Sequence, residues 1–262
     1  MSAAALRVAV LQCTSAPLDV AGNLERLDAA CRSVAGRADV LVTPEMFTTG
    51  YDIGRDETFR LAEPADGPIA RAVAETTRRT GVAVVYGYPE LGSAGEVYNA
   101  AQLVDDGAVR SSHRKLHLFG DLDRDRFTPG QERPRVADLR GHPVGLLLCY
   151  DVEFPEATRS LALAGAGTVL VPTANMADYD LVPTVLVRAR AFENGVFLVY
   201  ANYTGTEGGL EYGGLSTVCA PDGTVLALAG RDEQLDVVEL VGTGSMGYLA
   251  DRRPDLFGEA SP

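Results

Sequence analysis

The stretch VGLLLCYDVEFPE, residues 144–156, decides how this chain folds. Residues 144–148 form an uncharged apolar run of strand length. Cys149, Tyr150 and Asp151 follow, and Pro155 stands where a first helical turn accepts proline, because the N–H it lacks would be unpaired there anyway. The pattern predicts a strand, a sharp turn and a helix. Such a turn presents Cys149 at the carboxyl edge of a sheet, where α/β proteins place their sites. Backbone N–H groups just past the turn, with the helix N-terminus, favour a thiolate and a developing oxyanion. The same residues also fit a thiol that is simply core, since free cysteine is among the most buried residue types.

Working outward, similar apolar β-branched runs lie at 6–11, 40–42, 82–86, 168–171 and 196–200. Amphipathic stretches at 23–34, 68–79, 155–164 and 183–193 separate several of them. Strands apolar on both faces and spaced by helices predict sheets covered by helices. Two turn signals add antiparallel pairs: Pro221, Asp222 and Gly223 between 216–219 and 224–228, and Asp105, Asp106 and Gly107 between 101–104 and 109–111. The expected class is therefore α/β with mixed sheets. With no repeat, linker or composition break, residues 1–262 read as one domain.

The formal net charge of −13 argues against nucleic acid and anionic membranes as partners, since both need clustered Lys and Arg. Four cysteines (Cys13, Cys31, Cys149 and Cys219) lie far apart with no Cys-x-x-Cys pair. Neither a metal site nor a disulfide framework is expected, and a reducing compartment fits best. The start of the chain lacks a secretory pattern, and no apolar stretch approaches the ~18 residues of a membrane span. A cytoplasmic protein is expected.

A nucleophilic cysteine needs a base. His113 and His117 flank Lys115 at alternating positions, and His142 lies in a turn-like RGHP, yet no local Cys–His signature surrounds Cys149. Glu45 closes the run 40–42 beside Met46 and Phe47, where apolar surroundings would raise a carboxyl pKa toward neutrality. Lys115 sits among Leu116, Leu118 and Phe119, either reaching to solvent or pointing inward as a fixed cation.

Together, PEMFTTGY (44–51), RKLHLFG (114–120) and LCYDVEFPE (148–156) resemble the three signatures of the nitrilase superfamily, in the same order and at similar intervals. The likeness runs from about Leu6 to about Arg253 and takes in VPTANM (171–176) and RARAFENGVFLVYANY (188–203). It implies a four-layer α-β-β-α sandwich that pairs into homodimers or larger assemblies, with no cofactor. It also implies that Cys149 attacks an amide carbon to form a thioester, with Glu45 moving the protons. Lys115 and the Tyr150 N–H would hold the oxyanion. Many members carry a second glutamate soon after the lysine. Here GDLDRDRFTPG (120–130) offers only aspartates, of which Asp121 is favoured by an FG-acid-LDR string and Asp123 is the alternative. A solvated charged loop containing Arg124 and Arg126 is the plainer reading of the same residues.

The CYD following the nucleophile resembles the amidase branches. GYDIG, VYGYPE, LFGDLDR, VPTANM and YANYTG resemble most the 5-aminovaleramidase-like and stereoselective aliphatic amidases. Glu153 stands where carboxylate-binding branches often carry arginine. Facing the pocket it would favour an ammonium or guanidinium; otherwise it would cap the helix at Pro155. The resemblance thus implies a small primary carboxamide with a distal cation, with Tyr51, Tyr150, Glu153, Asn175 and Met176 as substrate contacts. The alternatives are an N-carbamoyl or ureido hydrolase of the same superfamily and a non-catalytic protein that binds small amides.

Overall fold

A computed structural model describes residues 5–242 and 247–257. Its centre is two sheets packed face to face. The first runs in the order Leu210–Gly213, Tyr203–Glu207, Leu6–Thr14, Val40–Val42, Ala83–Leu91, Val97–Asp105, Ala108–Arg114, with Gln234–Leu240 also paired to Leu6–Thr14. The second runs Val225–Leu228, Thr217–Cys219, Phe197–Ala201, Thr168–Pro172, His142–Leu146, Val136–Leu139. Each sheet has a parallel middle and antiparallel margins, as the mixture of helical spacers and hairpin turns predicts.

The layers follow from the two-residue period of a strand. Val8, Val10, Val40 and Val42 meet Val144, Leu146, Leu170 and Val199 between the sheets. The alternate residues Ala9, Leu41 and Val84 face Leu27, Cys31, Ile69 and Val73 of two helices. On the far side, Val169, Val171, Leu198 and Tyr200 meet Leu161, Val187 and Ala191 of two more. The central strands are therefore covered on both faces, which is why their sequences are mainly apolar runs; Leu6–Thr14 also carries Arg7 and Gln12. The result is the four-layer α-β-β-α sandwich.

Three of the four expected helical stretches, 23–34, 68–79 and 155–164, form helices to within a few residues. Val20–Val34 starts with the Asp19 carboxylate accepting from Gly22 N at 2.9 Å. Pro68–Thr80 starts on proline and ends at Gly81, whose φ of 69° is the left-handed stop that glycine permits. Pro155–Leu163 also begins on its proline. The stretch expected as one helix at 183–193 is instead a π-helical turn, Val182–Leu186, leading into Val187–Asn194.

Two departures position the chemistry. The run 144–148 is not all strand: the strand ends at Leu146, Leu147 N keeps one hydrogen bond to Leu170 O at 3.2 Å, and Leu148 leads into the turn. Lys115 likewise lies just past its strand, which ends at Arg114. Among the described residues, no helix is long and apolar enough to cross a membrane.

Candidate active site

Glu45, Lys115 and Cys149 come from three loops at the same end of the sandwich. Glu45 is set by its N–H donating to Thr173 O of the other sheet at 3.1 Å. Lys115 is set by backbone hydrogen bonds of 2.8 Å to Asn99 O and from Gly130 N. Cys149 opens a 3-10 turn, Cys149–Glu153, with φ of 41°, a left-handed conformation that costs a non-glycine residue energy and marks a constrained site.

Lys115 Nζ donates to Glu45 Oε1 at 2.8 Å and to Asp123 Oδ2 at 2.7 Å, and all three side chains are wholly buried. Asn99 Nδ2 also donates to Glu45 Oε1 at 2.7 Å, whereas Glu45 Oε2 has no hydrogen-bond partner among the described residues. One oxygen of this carboxylate is therefore anchored and the other is free to take a proton. Burial raises the Glu45 pKa; Lys115 opposes that and Asp123 adds to it. Burial alone would lower Lys115, but Asp123 and Glu45 hold its pKa well above the ordinary lysine value. Burial and the Glu45 charge push the Cys149 thiol well up, against the pull of Lys115 and the Ala174 N–H. Two carboxylates and one ammonium leave a net negative cluster, so the resting sulfur keeps its proton beside a base built to remove it.

The sandwich corrects the expectation for Asp121. Its side chain is 95% exposed, 3.8 Å from Arg124, and takes no part in the cluster. Asp123 occupies the place instead, with Oδ2 accepting from Lys115 and from Phe119 N at 2.9 Å. Residues two apart on the short helix Gly120–Arg124 point to different sides, so only one of the pair can face inward. Tyr51 is also corrected: its hydroxyl donates to Asp123 Oδ1 at 2.8 Å, and its ring is 1% exposed. It steadies the acid that steadies the lysine.

The remaining expected contacts are placed as follows. Tyr150 stands edge-on to Phe119 and Phe154, with ring centres 5.3 Å and 5.0 Å away. Glu153 is half-buried, and among the described residues no hydrogen bond or ion pair engages its carboxylate; burial raises its pKa against the opposing pull of Lys115 and Arg190. It does not cap Pro155–Leu163, whose cap position Phe154 has no side-chain hydrogen bond. The Asn175 amide is turned to Tyr179 O at 3.2 Å, and Met176 bridges to Tyr212 through its backbone.

Other residues here were not expected. Asp151 accepts five hydrogen bonds: His113 Nε2 and His117 Nδ1 at 2.8 Å, Leu116 N at 3.1 Å, His117 N at 2.9 Å and Leu148 N at 3.3 Å. It ties the lysine loop to the nucleophile turn. Both imidazoles serve Asp151, which disposes of a Cys–His pair. Arg190 holds the other end of the turn through Val152 O at 3.0 Å and Glu153 O at 2.7 Å. The flanking of Lys115 by His113 and His117 was the visible signal; His113 lies on the strand Ala108–Arg114 and His117 in the loop beyond it, and both rings turn to Asp151.

Known proteins agree with this geometry. The carbon-nitrogen hydrolase family model matches residues 7–241. A protein described as a hydrolase in the pqqF 5' region of Pseudomonas protegens is 48% identical, over 98% of this chain and 92% of its own. An (R)-stereoselective amidase of a Pseudomonas species is 38% identical, over 97% and 94%. A solved amidase of Nesterenkonia sp. AN1, bearing the acetamide moiety of fluoroacetamide on its active-site cysteine, superposes with a TM-score of 0.85 at 36% identity, covering 97% of this chain and 96% of its own. Together with the buried Glu45, Lys115 and Cys149, that match places the chain in the carbon–nitrogen hydrolase family, the nitrilase superfamily.

Proposed function

We propose that this enzyme is an amidase for small aliphatic primary carboxamides bearing a distal amine or guanidine, of which 5-aminovaleramide is the type. The reading rests first on the half-anchored Glu45 beside Cys149, with Lys115 bridging two buried carboxylates.

In the mechanism, Glu45 Oε2 takes the thiol proton as Cys149 Sγ bonds to the carboxamide carbon. The carbonyl oxygen, now an anion, is held by the Lys115 ammonium and the Tyr150 N–H; losing one such donor costs about 2.7–4 kcal/mol of barrier. Glu45 returns its proton to the leaving nitrogen, the C–N bond breaks, and ammonia departs from a thioester. A water then gives a proton to Glu45 and its hydroxide to the acyl carbon. Collapse releases the acid and returns the proton to sulfur. Asp123 keeps Lys115 charged throughout, so the oxyanion donor never becomes a neutral amine.

The substrate class rests on Glu153. A half-buried carboxylate with no hydrogen bond or ion pair among the described residues, at the end of the nucleophile turn, attracts a cation and repels a carboxylate. The (R)-stereoselective amidase and the Nesterenkonia amidase support amide hydrolysis in relatives of this likeness.

The test is ammonia release from 5-aminovaleramide, 4-guanidinobutyramide, butyramide and an ω-carboxylated amide, beside Cys149→Ala. Preference for the first two, abolished in the variant, is expected. Preference for the ω-carboxylated amide would sink the substrate class. Carbon dioxide released along with ammonia from an N-carbamoyl compound, in place of amide turnover, would move the enzyme to the ureido hydrolases.

A further inference from the structure

The strand Tyr203–Glu207, at the margin of the first sheet, ends on a carboxylate that the mechanism above does not use. Glu207 is 3% exposed. Its Oε1 accepts from the N–H groups of Tyr51 at 2.8 Å and Asp52 at 3.1 Å, and its Oε2 accepts from the Tyr212 hydroxyl at 2.7 Å. All three partners are donors, which suits a group that only accepts. Burying a carboxylate is costly, and the hairpin to Leu210–Gly213 is closed by its backbone ladder without one.

The two N–H groups belong to the loop that runs on from Glu45. It passes so near that a Cβ on Gly50 would stand 2.6 Å from Glu207 Oε1. From the other side Arg126 donates to Tyr51 O and, through Nη2, to Asp52 Oδ1 at 2.9 Å. Asp52 Oδ2 in turn accepts from Gly209 N at 3.1 Å, just past Glu207. The main chain at Tyr51 is therefore gripped at its N–H and at its carbonyl. The side chain so placed meets Lys115 in two ways. Its hydroxyl donates to Asp123 Oδ1 at 2.8 Å, and Asp123 Oδ2 accepts from Lys115 Nζ at 2.7 Å. Lys115 Nζ also lies 5.7 Å from the centre of the Tyr51 ring, within range of a cation–π attraction.

We propose that Glu207 is a positioning residue for the amide reaction: it fixes the main chain at Tyr51, so that the Tyr51 hydroxyl holds Asp123 and Asp123 holds Lys115 over the oxyanion. A tyrosine has only two side-chain torsions, so a displaced main chain carries the hydroxyl with it. A hydrogen bond tolerates little change of length or angle before it weakens. This role rests on the mechanism given above and is independent of the distal cation, which the amide panel tests separately.

The experiment measures kcat and KM, per mole of folded protein, on the best of the four amides named above. The variants are Glu207→Leu, Glu207→Gln, Tyr51→Phe and the double variant Tyr51→Phe with Glu207→Leu. In Glu207→Leu, kcat falls by about tenfold or more while KM stays within about threefold, because a misplaced lysine affects the transition state more than binding. Glu207→Gln, which keeps an acceptor for the two N–H groups, retains kcat to within about threefold. Tyr51→Phe lowers kcat by about tenfold, the usual worth of a hydrogen bond to a charged group. The double variant is no slower than the slower single one, since both act through one hydroxyl. Losses that multiply in the double variant would overturn the role and leave Glu207 a purely structural group. Parent kcat in Tyr51→Phe would overturn it too, by breaking the chain at Asp123, and so would a Glu207→Gln enzyme as slow as Glu207→Leu. If Glu207→Leu does not fold, Tyr212→Phe takes its place, freeing one carboxylate oxygen without stranding an N–H. It lowers kcat at unchanged KM, with no further effect beside Tyr51→Phe, and parent kcat in Tyr212→Phe would overturn the role.

Discussion

Lys115 Nζ lies 2.7 Å from Asp123 Oδ2, and neither side chain reaches solvent. That pair, rather than any acid at position 121, completes the charge pattern around Glu45. Asp123→Asn should lower kcat by about 10²-fold or more, because the oxyanion donor loses the charge and the geometry that hold it. It should also destabilise the fold by about 3–5 kcal/mol, the usual cost of breaking a buried pair from one side. Asp121→Asn should match the parent protein in both respects. Steady-state ammonia assays and urea melts of the two variants decide between the positions.

The pH profile should carry the signature of the buried base. Glu45 works ionised, and burial raises its pKa above the ordinary 4.5. Activity is therefore present above that raised pKa and falls as pH drops through it, so the acid limb of kcat/KM lies above the normal glutamate range. Asp123 contributes to the upward shift. The residual activity of Asp123→Asn should consequently show its acid limb at lower pH than the parent. An acid limb that stays in place would show that burial alone sets the shift.

Asp151 should act as a clamp rather than a reagent. Burial works against its ionised form, but hydrogen bonds from His113 and His117 hold its pKa well below the ordinary 3.8. A depressed carboxyl pKa adds stability that is present above the unfolded value and is lost only as pH falls through the folded one. The parent protein should thus keep this contribution from neutrality down to about pH 4. Asp151→Ala should lose about 3–5 kcal/mol at pH 7, since two imidazoles and three N–H groups are left unpaired. Urea unfolding at pH 7 and pH 4.5 should show nearly the same gap between the two proteins.

Gly87 should be intolerant of any side chain for a local reason. A Cβ there would stand 2.3 Å from Met46 N and 3.0 Å from the Glu45 carbonyl carbon. Both are backbone atoms and cannot swing aside. Gly87→Ala should push the Glu45 segment away from Lys115, lowering kcat more than it raises KM and costing about 1–3 kcal/mol of stability, as overpacking does. Alkylation of Cys149 by iodoacetamide should slow in parallel, because the base has moved.

How much of this was legible beforehand divides along physical lines. Strands buried on both faces are apolar at almost every position, so the runs at 40–42 and 168–171 show their place directly, and 6–11 does so around a single charged residue, Arg7, which reaches out to Asp39. Proline at a helix start acts through the local backbone, so the helix starting at Pro155 was visible too. The resemblance of three short motifs was enough to single out Glu45, Lys115 and Cys149. The ends of elements were harder. Where the run 144–148 stops being strand depends on a partner strand, not on its own side chains.

The sequence by itself determined the α/β class with mixed sheets and, through the resemblance of its motifs, the two-sheet sandwich, the hydrolase family and the trio Glu45, Lys115 and Cys149. Those follow from local periodicity and from motifs that span a few residues each. Only the tertiary structure decided between Asp121 and Asp123, because the choice depends on which side of a five-residue helix meets Lys115. It alone showed that His113 and His117 serve Asp151 and that Tyr51 holds Asp123. A hydrogen bond between distant segments is set by where whole layers pack, and no single segment carries that information.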